Sequence, residues 1–148
     1  MIKKTFCLVG FLFLALNVSA LEAGLVAGSI TQPSSFFYGL SAGVGTLIPM
    51  AKFEFEGYRI SEGGLNSLSA AAKFRPKFGN FAPYALIGAG AAFEKLNFRF
   101  SEYRFYTMLG GGLHVFFSSL FSLRFDLRWL HFSDVDRTRV SGGVFFHL

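Results

Sequence analysis

The chain has 148 residues, a net charge of +5 at neutral pH and a single cysteine. That length suits one domain, one thiol excludes a disulfide framework within the chain, and the small basic excess lacks the clustered motif of a nucleic-acid binder. Phenylalanine (21 residues) and glycine (17) are abundant while proline (four) is sparse, so a water-soluble domain would carry more aromatic surface than it could hide.

In chain order, Lys3 and Lys4 precede an apolar run from Phe6 to Leu16, and Asn17-Val18-Ser19-Ala20 ends in small residues. This is the pattern of a secretory signal peptide over residues 1–20, cut after Ala20. Its removal takes Cys7 and two lysines, lowering the net charge from +5 to +3. From Leu21 onward eight segments alternate apolar and polar residues with a period of two, the signature of strands. The first is Leu21 to Ile30, with Ala23, Leu25 and Ala27 opposite Glu22, Gly24 and Gly28. The second, Phe36 to Leu47, sets Leu40, Ala42 and Val44 against Ser41, Gly43 and Gly45. The third, Ala51 to Ile60, sets Phe53 and Phe55 against Lys52, Glu54 and Glu56. The fourth, Asn66 to Arg75, sets Leu68, Ala70, Ala72 and Phe74 against Ser69, Lys73 and Arg75.

The fifth segment, Tyr84 to Leu96, follows Pro83 and is so rich in Gly and Ala that its facing is ambiguous; Asn97 to Glu102 then forms the longest polar tip. The sixth, Tyr103 to Phe117, places Phe105, Leu109 and Leu113 opposite Arg104, Tyr106 and His114. The seventh, Phe121 to Ser133, has the cleanest alternation, with Leu123, Phe125, Leu127, Trp129 and His131 on one face and Arg124, Asp126 and Arg128 on the other. Asp134-Val135-Asp136 reads as the last loop, and Arg137 to Leu148 as the eighth strand, with Val140, Val144 and Phe146 opposite Arg139, Ser141 and His147.

Strands of this length match the 9–11 residues a tilted transmembrane strand needs, and eight is the smallest usual number for such a barrel. The fold expected is all-β: an eight-stranded antiparallel up-and-down transmembrane barrel over residues 21–148. Alternation alone also fits a soluble barrel with the faces reversed. Long apolar stripes on one side, and charges of both signs mixed with glycine on the other, favour lipid outside and a tight polar interior. Glu22, Lys52, Glu54, Glu56, Lys73, Arg75, Arg104, Arg124, Asp126, Arg128 and Arg139 form the expected interior set, paired because an isolated buried charge is costly. Phe36, Phe37, Tyr38, Tyr84, Tyr103, Phe117, Trp129 and Phe132, near strand ends, are expected in the interfacial girdles.

Pro83-Tyr84, Gly88-Ala89-Gly90, Gly110-Gly111-Gly112, the run LRFDLRWLHFS and an alternating last strand together resemble the small outer-membrane β-barrel domains of OmpA, OmpX and opacity-protein type. The resemblance covers Leu21 to Leu148 and departs from the family in ending on Leu148 rather than Phe. It implies the outer membrane of a Gram-negative-type bacterium. It also implies contact with outer-membrane lipid and lipopolysaccharide, help from the assembly machinery during insertion, a single copy, and no cofactor, metal or nucleic acid.

One pair could carry chemistry. His131 and Ser133 share the lipid face, and His131-Phe132-Ser133-Asp134 is similar to the motif of PagL-type lipid A deacylases. There histidine acts as base, serine as nucleophile and an acid orients the imidazole. That family takes its acid from the last strand, where the outward residues here are Thr138, Val140, Gly142 and Val144; Asp134 and Asp136 are the nearer acids. His114, His131 and His147 lie on different strands and give no recognisable metal spacing. The leading expectation is a non-enzymatic envelope or surface role with no committed catalytic residue. A lipid A deacylase-like esterase using His131 and Ser133 is the alternative, and a narrow pore the third.

Overall fold

A computed structural model of the chain describes residues 16–31, 34–94 and 102–148. The residues before Leu16, where a signal peptide is expected, part of the first loop and most of the Asn97–Glu102 tip lie outside the described residues. The chain forms a closed antiparallel barrel in sequence order: β1 (Leu16–Ile30), β2 (Ser35–Thr46), β3 (Ala51–Ile60), β4 (Asn66–Phe74), β5 (Phe81–Phe93), β6 (Arg104–Phe116), β7 (Phe121–Phe132) and β8 (Asp136–His147). Closure is made by β1 on β8, from Glu22 opposite His147 to Ile30 opposite Arg139. No sheet edge is left, which a barrel in hydrocarbon requires because lipid cannot satisfy backbone N–H and C=O groups.

Alternation places the two classes of side chain on the two walls. Leu25 (64% exposed), Leu40 (65%) and Phe125 (57%) stand on the outside, whereas Arg124 and Arg128 (1% each) are buried within. A soluble barrel would show the reverse, so the outer wall is a lipid surface. The fifth strand resolves in the same way: Ala85, Ile87 and Ala89 face out while Tyr84 and Leu86 face in.

Four expectations need correction. β5 begins at Phe81 and carries Pro83 within it, opposite Leu113 of β6. The ladder to β4 starts only at Ala85, so at Pro83 the strand has one neighbour and a missing N–H leaves no gap on the other side. The first strand starts at Leu16, but its register with β2 shifts between Asn17 and Leu21. Phe37, Tyr84 and Phe132 do not join the girdles. They point into the barrel, because a period of two cannot turn Phe36 and Phe37 the same way, whereas Phe36, Tyr38, Phe117 and Trp129 do face out. Arg104 has interior parity but lies at the rim, with its side chain 46% exposed.

The interior is filled by side chains, as the small bore of eight strands requires. Toward the loops opposite the chain ends it is apolar, with Ile30, Phe37, Tyr58, Ile60, Tyr106, Leu130 and Phe132. The middle is charged, and the end that carries both chain termini holds His114, Ser122, His147 and Glu22. Glycine makes the room: a Cβ at Gly43 would fall 2.6 Å from the Glu22 side chain.

Candidate functional site

The charged layer is a shared network. Arg124 donates to Glu54 and Glu56, both at 2.9 Å. Arg128 reaches Glu54 at 2.6 Å and Asp126 at 2.7 Å, and Arg139 pairs with Glu56 and Lys73 with Glu54. The Tyr84 hydroxyl donates to Asp126 at 2.5 Å. Each carboxylate is held by cations from other strands, so the expected interior pairing is present for Glu22, Lys52, Glu54, Glu56, Lys73, Arg75, Arg124, Asp126, Arg128 and Arg139. Arg139 also packs beneath Phe37 and Tyr58, 4.8 and 5.1 Å from their ring centres, joining the charged layer to the apolar one.

The second site is on the outer wall, near the end of β7. His131 is exposed, and its Nδ1 lies 2.5 Å from Oδ1 of Asp136. The two are opposite each other in the β7–β8 register. Asp136 is therefore a strand residue, not part of the loop as expected. The Phe132 N–H donates to the Val135 carbonyl, which leaves Ser133 and Asp134 as the two central residues of the turn and puts residue 131 across from residue 136. The acid that the sequence left unassigned is found by counting across the hairpin.

On the other flank, His131 faces Thr107 of β6, and the Trp129 ring lies 6.0 Å away on the same face. Ser133 is exposed in the turn. No hydrogen bond joins Ser133 to His131 among the described residues. Asp134 takes a different role: Arg104 Nη2 donates to its two oxygens at 2.9 and 2.7 Å, tying the turn to β6. This exposed carboxyl is held below its ordinary range by that hydrogen bond first and by the guanidinium charge with it. The arrangement thus supplies a base with an orienting acid at an aromatic-lined lipid interface, and a serine two residues away.

A third grouping was missed in the sequence. His114 and His147 meet inside the barrel through Ser122, whose Oγ lies 3.1 Å from His114 Nδ1 and 2.8 Å from His147 Nε2. His147 Nδ1 is in turn 3.4 Å from Glu22. Interior parity was visible for all of them, but their common depth depends on strand stagger. Ser122 is completely buried, so this relay fills and ties the end of the barrel. Among the described residues no three His, Cys, Asp or Glu side chains are placed to hold a metal ion.

Neither a protein-family model nor a curated protein sequence matches the chain. Solved structures do. The N-terminal β-barrel domain of Pseudomonas aeruginosa OprF superposes with a TM-score of 0.74 at 17% identity, covering 88% of this chain and 98% of that one. A de novo designed transmembrane β-barrel gives 0.71 at 15% identity, over 90% and 99% of the two chains. The outer-membrane enzyme PagL gives 0.55 at 15% identity, over 84% and 97%. The chain has the fold of the small outer-membrane β-barrels. A fold shared by a designed barrel and an enzyme carries no activity by itself.

Proposed function

We propose that this chain is a small, non-conducting integral protein of the outer membrane of a Gram-negative-type bacterium, with a structural or surface-interaction role. The observation that carries it is the occupied interior: cross-strand ion pairs fill the bore at mid-depth and a packed aromatic and aliphatic layer covers them. An ion path would need a hydrated lumen, and eight strands leave none once these side chains are in place. Planar-bilayer recording of the refolded protein is expected to show no discrete conductance; stepwise openings would overturn the closed-barrel reading. Residues 1–20 are proposed as its signal peptide. The register shift before Leu21 and the start of β8 pairing at Glu22 support a mature strand that begins there. N-terminal sequencing of the membrane-inserted form should begin at Leu21, and retention of Met1 would refute the cut.

A second reading is favoured by one specific observation, the His131–Asp136 pair on the lipid-facing wall. In this reading the chain is an esterase of outer-leaflet lipid A. Asp136 orients His131, His131 takes the Ser133 hydroxyl proton, the serine oxygen attacks the acyl carbonyl, and the ester C–O bond breaks so that the lipid A hydroxyl leaves with the proton returned by His131. The acyl-serine is then hydrolysed by water. Lipid A from cells that express the protein should be one acyl chain lighter, and Ser133→Ala and Asp136→Asn should each restore the heavier form. Identical lipid A spectra in all three strains would remove the enzyme and leave the first reading.

A further inference from the structure

The two ends of the barrel differ in charge. Among the described residues, the acids of the loop end are Glu62, Glu94, Glu102, Asp134 and Asp136, and the charged middle balances Glu54, Glu56 and Asp126 against Arg124, Arg128 and Arg139. The end with the chain termini, which faces the periplasm in barrels of this kind, has Glu22 as its described acid and gathers Lys52, Lys73, Arg75 and Lys77.

Glu22 does not satisfy them. Its Oε2 receives Lys52 at 3.0 Å and Arg75 at 2.7 Å, with His147 at 3.4 Å, and its Oε1 lies 3.7 Å from Lys73, whose nearer partner is Glu54. Arg75 uses Nη1 for both Glu22 and the His114 ring. No partner is found for its Nε and Nη2 among the described residues. Lys77 is exposed and meets no carboxylate there; its ammonium sits 4.4 Å from the centre of the Phe116 ring, and the Arg75 guanidinium lies 5.7 Å from the same ring. Lys52, Arg75 and Lys77 therefore converge around Glu22 and Phe116 with donors to spare and a positive excess. Burying such an excess without a counter-charge is unfavourable. Phe74, Phe78, Phe81 and Phe117 stand exposed on the outer wall at this level, which marks the depth of the membrane interface, where phosphate groups lie.

We propose that Lys52, Arg75 and Lys77 bind a phosphate group at the periplasmic mouth of the barrel, supplied by an inner-leaflet phospholipid headgroup or by a free phosphate. Arg75, with its side chain 8% exposed, keeps Nε and Nη2 unpaired among the described residues for a two-pronged contact, and the two lysines add point charge. This site is at the opposite end from His131 and does not depend on the proposed role of the chain.

The test uses the full mature barrel in zwitterionic detergent, with thermal unfolding followed by heat-modifiable gel mobility. One arm titrates inorganic phosphate against sodium chloride at constant ionic strength. The other titrates dihexanoyl phosphatidylglycerol. Binding to the folded state alone raises the unfolding temperature saturably. Either titrant is expected to do so, and Lys77→Gln and Arg75→Gln are each expected to raise its half-saturation by about tenfold, as loss of one charge-assisted contact predicts. Arg59→Gln, at the opposite end, should change nothing. Lys77→Gln keeps the test decisive if Arg75→Gln fails to fold, because Lys77 has no acid partner to strand among the described residues. Stabilisation by inorganic phosphate as strong as that by the lipid assigns the free anion; stabilisation by the lipid alone assigns the headgroup. A non-saturating response, one equal to that of chloride, or one unchanged in Lys77→Gln overturns the proposal.

Discussion

Arg128 touches Glu54, Glu56 and Asp126 with two of its nitrogens, from a position almost without solvent contact. Arg128→Met strands carboxylates rather than merely deleting a contact, and removing one partner of a buried pair typically costs about 3–5 kcal/mol. Urea unfolding in phospholipid vesicles should show a loss of that order; a loss below about 1 kcal/mol, the range of exposed pairs, would mean that water reaches the network. The rim pair behaves differently. Arg104→Gln should leave stability within experimental error but let the Asp134 carboxyl titrate higher, back toward an ordinary aspartate. The sign follows from the lowered value: the folded protein favours ionised Asp134, so the small benefit exists above the unfolded titration range and disappears as pH falls through the folded one. Carbon-detected NMR titration of the two proteins reads this directly, and identical midpoints would refute it. At this scale the sequence told which residues face inward but not which ones meet. Arg128 and Glu54 are 74 positions apart and join only through the stagger of β3 and β7. Arg104 kept its parity and still escaped the lumen, because parity carries no information about depth.

Elements were the most legible level, for a physical reason. A barrel wall divides two solvents, so every strand must alternate, and seven of the eight observed strands both begin and end within a few residues of the alternation read from the chain, the exception being the start of β1. Where the signal fades, the cause is local. In β5 Gly and Ala alternate with each other and mark neither wall. Pro83 looks like a strand stop until the stagger shows that β4 has already ended beside it. Strand β7 alternates without a break, and its facing can be tested by two arginines one position apart. Arg128 is native and inward. Leu127→Arg would place the same group outward, near the middle of the strand, at about 2–4 kcal/mol if that is the bilayer midplane. Folding yield and unfolding free energy in vesicles should fall for Leu127→Arg and hold for Leu127→Phe. Tolerance of the arginine would mean that the wall is wet.

For the whole molecule the question is what fills the bore, and two layers do so with different physics. The charged layer is closed by ion pairs that hold long side chains across the lumen. The apolar layer above it is closed by rings: Phe37 and Tyr58 meet with centroids 5.0 Å apart, Tyr106 and Phe132 at 4.9 Å, and the Tyr106 hydroxyl lies 2.7 Å from that of Ser67. A buried pair can often be exchanged for apolar side chains of similar size without loss of stability, provided both partners change together. The double replacement Glu56→Leu with Arg139→Met is therefore expected to fold while weakening the first layer. It should remain electrically silent, because Phe37, Tyr58 and Phe132 still exclude water above it. Phe37→Ala alone should be silent as well, since the ion pairs below are intact. Only the combination removes material from both layers at the same side of the bore, where Arg139 packs under Phe37. Discrete openings should then appear in planar bilayers. Conductance in either single-layer variant would show that one layer carries the whole closure, and silence in a folded triple variant would show that the remaining Arg124, Arg128 and Tyr106 side chains are enough to hold it.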